Sequence, residues 1–148
     1  MSKLPHLILL FISFTFISCD NDITTSQVPS IVENTFKTNF IHAKDVDWEM
    51  MNSNYEVSFE VENVSHDAFL DGSGDLLKYK YNIDGTALPN TIRALLKRRF
   101  ANEKWDDAEI IIDRNSKYYQ LELEGFFTDK KLVVDSSGTI LSSSKYWN

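Results

Sequence analysis

A chain of 148 residues with a 43% hydrophobic content is long enough to bury one core, which excludes wholesale disorder. Its formal net charge of -7 argues against nucleic-acid binding, because that affinity comes mostly from the neutralisation of phosphates. The single cysteine excludes an internal disulfide and zinc sites built from several thiolates. Composition therefore predicts one globular domain that does not have nucleic acid as a partner.

Residues 1–18 resemble a secretory signal peptide. A positive charge at Lys3 is followed by an apolar run from Leu4 to Ile17. A helix that spans a bilayer needs about 20 apolar residues, so this run is too short to be one. The segment is therefore predicted to direct export and to take no part in the fold.

The residues around Cys19 indicate how the exported chain is held. Phe16-Ile-Ser-Cys19 resembles a bacterial lipobox, with Phe16 where an aliphatic residue is usual, and Cys19 is the predicted lipidation site. The acidic residues that follow resemble those of Bacteroidota lipoproteins. Residues 19–27 are polar and lack apolar periodicity, which predicts a tether to a membrane surface. The alternative is an ordinary signal peptide that contains a cysteine by chance.

Residues 28–87 have the pattern of one helix followed by a meander of strands. An apolar stripe at Val32, Phe36 and Phe40 predicts a helix from about Pro29 to Ile41. Alternation of apolar and polar residues then predicts strands with one wet face, and an Asp-x-x-Gly turn separates the last two. The predicted strands are Val46–Met51, Tyr55–Val61, Ala68–Leu70 and Leu76–Ile83.

Residues 88–148 repeat this pattern. Leu88-Pro89 restarts it 60 residues after Val28-Pro29, and the offset grows to 64 between Tyr55 and Tyr119. The fold class is therefore α+β: two tandem repeats, each one helix followed by an antiparallel meander of about four strands, with the helices packed on one sheet face. Periodicity leaves open whether the two half-sheets join. The second set of predicted strands lies near Ala108–Ile112, Tyr118–Glu124, Lys130–Val134 and Thr139–Tyr146, after a helix with the stripe Ile92, Leu95, Leu96 and Phe100.

The repeated motifs resemble the PepSY-like family. They are the strands that begin at Tyr55 and Tyr119 and the Asp-x-x-Gly hairpins at Asp71 and Asp135. The resemblance covers about residues 27–142, in a domain expected over 28–148, and the family is described as beta-lactamase-inhibitor-like. It implies a small exported protein whose sheet face grips a protein partner. It transfers no contact residue to this chain, and inhibition of a beta-lactamase itself is not expected.

A wide polar sheet face is the candidate partner surface. Alternation along the strand Tyr55–Val61 places its polar residues on one face, and the lysines of a neighbouring strand are expected to share it. Cross-strand ion pairs are an alternative explanation of this charge pattern. The candidate residues are Glu56, Ser58, Glu60, Lys78, Lys80, Gln120 and Glu122.

No motif predicts catalysis, a cofactor or a metal site. Ser65, His66 and Asp67 are contiguous, whereas a catalytic triad draws its residues from separate elements, so His66 is expected in a loop or at the surface. The stretch Asp71-Gly-Ser-Gly-Asp75 resembles the start of a calcium loop, but Asn82 stands where an EF-hand has glutamate. The basic residues of the second helix, which are expected to be solvated, are Arg93, Lys97, Arg98 and Arg99.

Taken together, these patterns predict a non-catalytic, membrane-anchored binding module of the cell envelope. Its expected place is the outer membrane, on the periplasmic side or at the cell surface, and its expected partner is an envelope protein bound by the open sheet face. The alternative is an envelope protein that binds a small ligand or a metal ion in the space between helices and sheet.

Overall fold

The computed structural model of the chain describes residues 21–125, 128–142 and 145–148, and gives only the backbone of Asp106 and Asp107. The predicted signal peptide and Cys19 lie outside the described residues. Within the described part, no helix is both long and apolar enough to cross a membrane.

Two helices and one antiparallel sheet of eight strands make up the described fold. Each strand pairs with its neighbours in sequence, and each helix begins directly after a proline, Pro29 or Pro89. The helices are α1 (Ser30–Asn39) and α2 (Asn90–Arg99). The strands are β1 (Asp22–Ile23), β2 (Lys44–Met51), β3 (Asn54–Val61), β4 (Val64–Asp71), β5 (Leu76–Ile83), β6 (Trp105–Asp113), β7 (Ser116–Leu123) and β8 (Lys130–Asp135).

The two halves of the sheet are continuous. Strands β5 and β6 pair from Lys78 and Asp113 to Ile83 and Ala108, so the question that periodicity left open has a definite answer. A single meander leaves its two outer edges at β1 and β8.

Both helices pack on the same face of this sheet. Val32 of α1 belongs to a buried cluster with side chains of β2, β3 and β4, and Ile92 of α2 belongs to another with side chains of β6, β7 and β8. Tyr79 packs against the first cluster and Tyr81 against the second. Because residues two apart on a strand share a face, both clusters lie on one side of β5. The opposite side is called the open face below.

An aspartate organises each of the two equivalent hairpin turns. Oδ1 of Asp71 accepts hydrogen bonds from the backbone N–H groups of Ser73 and Asp75 at 2.9 and 3.0 Å, and from the Ser73 hydroxyl at 2.6 Å. Asp135 does the same in the second half, where the Ser137 N–H and hydroxyl lie at 2.9 and 2.6 Å. Turn chemistry therefore accounts for Asp71 and Asp135.

The same turns abut the start of each helix. Gly74 has a φ of +90°, and a Cβ at this position would lie 2.9 Å from Cγ1 of Ile31 and 3.1 Å from its carbonyl oxygen. Gly138 has a φ of +88° and lies against Thr91 in the same way. Glycine is needed at both positions because the backbone is left-handed and the helix approaches closely.

Part of the predicted tether over residues 19–27 is folded. Asp22 and Ile23 form β1 and pair with Glu49 and Trp48, and a short 3-10 turn follows at Thr25–Gln27. The prediction was wrong for these residues because a two-residue edge strand has too little apolar periodicity to detect. Strand β1 covers part of the otherwise unpaired edge of β2.

The strand predicted over Thr139–Tyr146 is not formed in the described residues. Ile140 makes only an isolated bridge to Val134, and the Leu141 N–H donates to the Val133 carbonyl at 2.8 Å. In the residues that the structure describes, the second half therefore has three strands. The chain then leaves the sheet edge, since residues 145–148 lie against side chains of the open face, as described below.

His66 is neither in a loop nor at the open surface. It lies in β4, half-buried on the helix side, where its ring stacks between Phe59 and Tyr81 at centroid distances of 5.2 and 5.4 Å. The adjacent Asp67 lies on the other face. The expectation was wrong because the polar residues on either side of His66 made this part of the strand resemble a loop.

The turn aspartates make stability dependent on acid pH. Hydrogen bonds from the Ser73 hydroxyl and the Asp75 N–H lower the pKa of Asp71, and those from the Ser137 hydroxyl and the Thr139 N–H lower the pKa of Asp135. A carboxyl with a pKa that is lower in the folded state stabilises the fold above its unfolded pKa, about 4. That contribution is lost as the pH falls through the lower, folded pKa.

We therefore expect the double variant Asp71→Asn, Asp135→Asn to have a shallower loss of unfolding free energy below about pH 4 than the wild type. Asparagine keeps the acceptor oxygen and removes the titrating charge. Urea unfolding at a series of pH values measures this, with Asp47→Asn on an exposed strand position as the control. A double variant with the wild-type pH dependence would contradict the assignment.

Candidate functional site

The structure places the predicted polar residues on the open face. Glu56, Ser58 and Glu60 alternate along β3 with Val57 and Phe59, which are buried beneath α1, so they point away from the helices. Register carries the same face across the sheet. Asp67 faces Ser58 on one side and Lys80 on the other, and Phe69 lies in the same way between Glu56 and Lys78.

The seven predicted residues of this face lie in different environments. Ser58 donates to Asp67 at 2.5 Å near the exposed first half of the face. Glu122 lies near the other end and accepts a hydrogen bond from the Tyr146 hydroxyl at 3.3 Å. Between these ends, Lys80 and Gln120 are both buried.

Lys80 is the centre of a buried polar network. Its ammonium lies 3.3 Å from Asp67 Oδ2 and 3.1 Å from Glu109 Oε1, and it donates to the carbonyl of Trp147 at 3.3 Å. Gln120 donates to the same Glu109. A buried ammonium is tolerated only when its charge and hydrogen-bonding groups are matched, as they are here. The expected surface ion pairs are thus replaced at Lys80 by an enclosed one.

The network is enclosed by the chain's own C-terminal residues. Lys145–Asn148, called the tail below, lies on the open face, and Trp147 is only 7% exposed. The Trp147 N–H donates to Gln120 Oε1 at 3.0 Å, and Gln120 Nε2 donates to the Trp147 carbonyl at 2.8 Å. One side-chain amide therefore satisfies both backbone groups of a single residue.

The indole of Trp147 reaches across to the first half of the sheet. Its Nε1–H donates to Glu56 Oε1 at 3.0 Å, the Lys78 ammonium lies 4.0 Å from the ring centroid, and the Phe69 ring lies edge-on at 6.4 Å. Burial raises the pKa of Glu56, which the indole hydrogen bond opposes. Burial lowers the pKa of Lys78, which the nearby Glu56 opposes.

Further contacts hold the rest of the tail. The Lys145 ammonium lies 4.4 Å from the ring centroid of Tyr118 and donates to its hydroxyl at 3.2 Å. The Lys131 ammonium lies 4.8 Å from the ring centroid of Tyr146 and donates to the side chain of Asn148. All of these contacts are made by side chains of the sheet.

The free energies that hold the tail are nearly balanced. Burying an indole removes about 150–250 Å² from water, which stabilises by roughly 4–6 kcal/mol. Ordering the backbone of four residues costs about 1–2 kcal/mol each. Hydrogen bonds at about 1 kcal/mol each therefore decide whether the tail is bound to the sheet or detached. Those to Trp147 favour the bound tail.

Two apolar side chains of the open face explain why a cover is needed. Ile111 and Val133 are buried, yet neither belongs to the clusters beneath the helices. The signal was present in the sequence as the apolar runs Ile110–Ile112 and Leu132–Val134. Three consecutive apolar residues in a strand indicate burial on both faces. Sequence analysis missed this, and with it the roles of Glu109, Phe69 and Trp147.

A polar cleft of about 350 Å³ lies beside the tail. Among the described residues, no group of three or more His, Cys, Asp or Glu side chains is arranged to hold a metal ion. The cleft is lined by Lys80, Asn82, Glu109, Glu122, Lys131, Tyr146, Trp147 and Asn148.

The basic residues of α2 lie away from this cleft. They are exposed and solvated, as expected.

Comparison with known proteins identifies the family. Residues 16–78 and 55–142 match the family described as "Putative beta-lactamase-inhibitor-like, PepSY-like". The chain belongs to this family. The resemblance seen in the repeated motifs is thereby confirmed. The chain matches no curated protein.

Solved structures of Bacteroides proteins share the PepSY-like fold. A DUF2874 family protein from Bacteroides ovatus aligns with a TM-score of 0.70 at 16% identity, over 77% of this chain and 84% of that one. A BLIP-like protein from Bacteroides fragilis aligns with a TM-score of 0.68 at 16% identity, over 77% and 83%. A periplasmic protein from Bacteroides eggerthii aligns with a TM-score of 0.73 at 9% identity, over 78% and 86%. At these identities the likeness establishes the fold alone.

The Lys80 network predicts a large effect of removing its charge. Lys80→Met keeps the apolar stem but leaves Asp67 and Glu109 facing each other without a cation. We expect the unfolding free energy to fall by about 3 kcal/mol, measured by urea denaturation. Lys37→Met is the matched control, because it removes an exposed ion pair with Glu33 on α1 and should cost less than about 0.5 kcal/mol. Equal stability of the two variants would show that the ammonium does not hold the network.

Proposed function

We propose that this PepSY-like protein is a non-catalytic, lipid-anchored binding module of the cell envelope that holds a protein partner on its open sheet face. The observation that carries the proposal is the location of both helices on one face of a continuous sheet, which leaves the first half of the other face, beyond the tail, able to meet a partner. The inhibitor-like description of the family supports a protein partner.

The exposed half of the open face defines the chemistry of this partner. Asp47 and Glu49 of β2 pair with Ser58 and Glu56 of β3, and Glu60 lies further along the same face. We call Asp47, Glu49 and Glu60 the acidic strip. Charge complementarity favours a partner that presents lysine or arginine to it.

The rest of the organisation follows from the same reasoning. Residues 28–87 and 88–148 are two tandem copies of a helix-and-meander unit, and neither copy covers both faces of its strands alone. Residues 1–18 direct export, and Cys19 carries the lipid at the outer membrane. The description of the Bacteroides eggerthii structure as a periplasmic protein supports an envelope location.

Reversing charge on the acidic strip should weaken partner capture. We expect Glu49→Lys and Glu60→Lys each to reduce capture from native envelopes about tenfold, because like charges would meet at the interface. The measurement is crosslinking and affinity capture with the anchored full-length chain as bait. Glu33→Lys makes the same charge change on α1, behind the sheet, and should capture normally.

Capture that is unaffected by both strip variants would contradict the proposal. An empty capture from folded wild-type bait would instead favour a small ligand, for which the polar cleft beside the tail is the available site.

Anchoring rests on Cys19. We expect Cys19→Ala to move the protein from the membrane fraction to the soluble envelope fraction, because each buried acyl methylene contributes about 0.8 kcal/mol to membrane binding. Fractionation with labelled palmitate measures both location and modification, and Ser18→Ala serves as the control. Unchanged membrane association of the Cys19 variant would refute the anchor.

A further inference from the structure

The tail is attached to the sheet as a bound peptide would be. At this end of the chain, backbone pairing with the sheet reaches Leu141, whose N–H donates to Val133. The sheet holds Lys145 and Trp147 of the tail by bonds from its side chains. A strand added to the sheet would use its ladder instead. The tail therefore occupies a site rather than continuing the fold.

The backbone part of this site does not depend on which residue is bound. Gln120 offers one donor and one acceptor to the N–H and carbonyl of Trp147, and the Lys80 ammonium adds a second donor to the same carbonyl. Such contacts recognise any extended peptide backbone, as main-chain pairing does in other peptide-binding proteins.

The side-chain part of the site is specific for an indole. Glu56 accepts the indole N–H, the Lys78 ammonium lies over the ring, and Phe69 meets its edge. Phenylalanine would lose the hydrogen bond to the half-buried Glu56, and an aliphatic side chain would also lose the cation–π contact. Tryptophan is the side chain that satisfies all three.

We propose that this is a receptor site for an extended segment of the partner protein that carries a tryptophan, and that Lys145–Asn148 is a resident occupant which the partner displaces. The inference rests on the proposed function and specifies the partner. Glu49 lies directly across from Glu56, the carboxylate that the indole reaches, so the indole site adjoins the acidic strip. The partner is therefore one that presents a tryptophan to the indole site and basic residues to the strip.

The test uses the full-length chain and a defined probe. The probe is a fluorescent, amidated peptide with the sequence of residues 142–148, titrated by anisotropy against the Trp147→Ala variant. We expect saturable binding to this variant and about tenfold weaker binding to the wild type, whose tethered tail competes at millimolar effective concentration. The double variant Trp147→Ala, Gln120→Ala should bind about tenfold more weakly than the single variant. A peptide with alanine in place of tryptophan is the matched control.

A folded Trp147→Ala chain that binds both peptides equally would overturn the proposal. If that variant does not fold, amide exchange in the wild type decides. A displaceable tail requires the Trp147 amide to exchange about 100-fold faster than the amide of Leu121 in the core of β7. Exchange of both amides only through global unfolding would make the tail a fixed part of the fold and refute the inference.

Sedimentation of the wild type tests whether another copy of this chain is the occupant. A dimer with exchanged tails would identify another copy of this chain as the occupant and would overturn the choice of a foreign partner. The outcome is separable from that of the proposed function. If capture responds to Glu60→Lys while the peptide fails to bind, only the receptor site is lost. If the peptide binds while the strip variants capture the partner normally, the acidic strip is not part of the interaction surface.

Discussion

When both helices pack on one face of a sheet, apolar side chains on the opposite face can be buried only by another part of the chain. In this PepSY-like protein the need arises at Ile111 and Val133, which are buried although no helix lies over them. On the same face, Trp147 of the tail packs against the side chains of Lys78 and Phe69. Covering the face also encloses Lys80, and its network with Asp67 and Glu109 follows from that enclosure. Much of what distinguishes this face depends on a single packed indole.

The open face is thus divided into two chemically different parts. Its first half is acidic, with Asp47 and Glu49 exposed and Glu60 half-buried. Its second half is apolar and polar in alternation, and the tail covers it. Exposed charges at the strip contribute little to stability, so their retention is not needed for folding. The buried network has the opposite character, because a carboxylate that lost its ammonium there would be costly. The residues proposed to bind a partner and the residues that stabilise the fold therefore lie in different parts of the open face.

Periodicity was sufficient for the elements but not for the tail. The stripe of Val32 and Phe36 predicts α1, and alternation along β3 predicts which side chains leave the core, because both are local patterns with large burial energies. The position of Trp147 depends on a contact 91 residues away, with Glu56, which no local pattern encodes. The apolar run Leu132–Val134 does encode the need for a cover. It cannot say what the cover is, since any apolar segment of the chain would serve.

The two halves differ at the positions that hold the tail. Positions 64 residues apart keep their character on the helix side, as with Tyr55 and Tyr119. On the open face the equivalent positions are Glu56 and Gln120, a carboxylate that accepts the indole N–H and an amide that holds the backbone of the same residue. One tryptophan thus bridges equivalent positions of the two halves with different chemistry at each. A packing role alone would be served by apolar side chains at both positions, whereas paired polar groups that recognise a backbone and an indole are the features of a binding site.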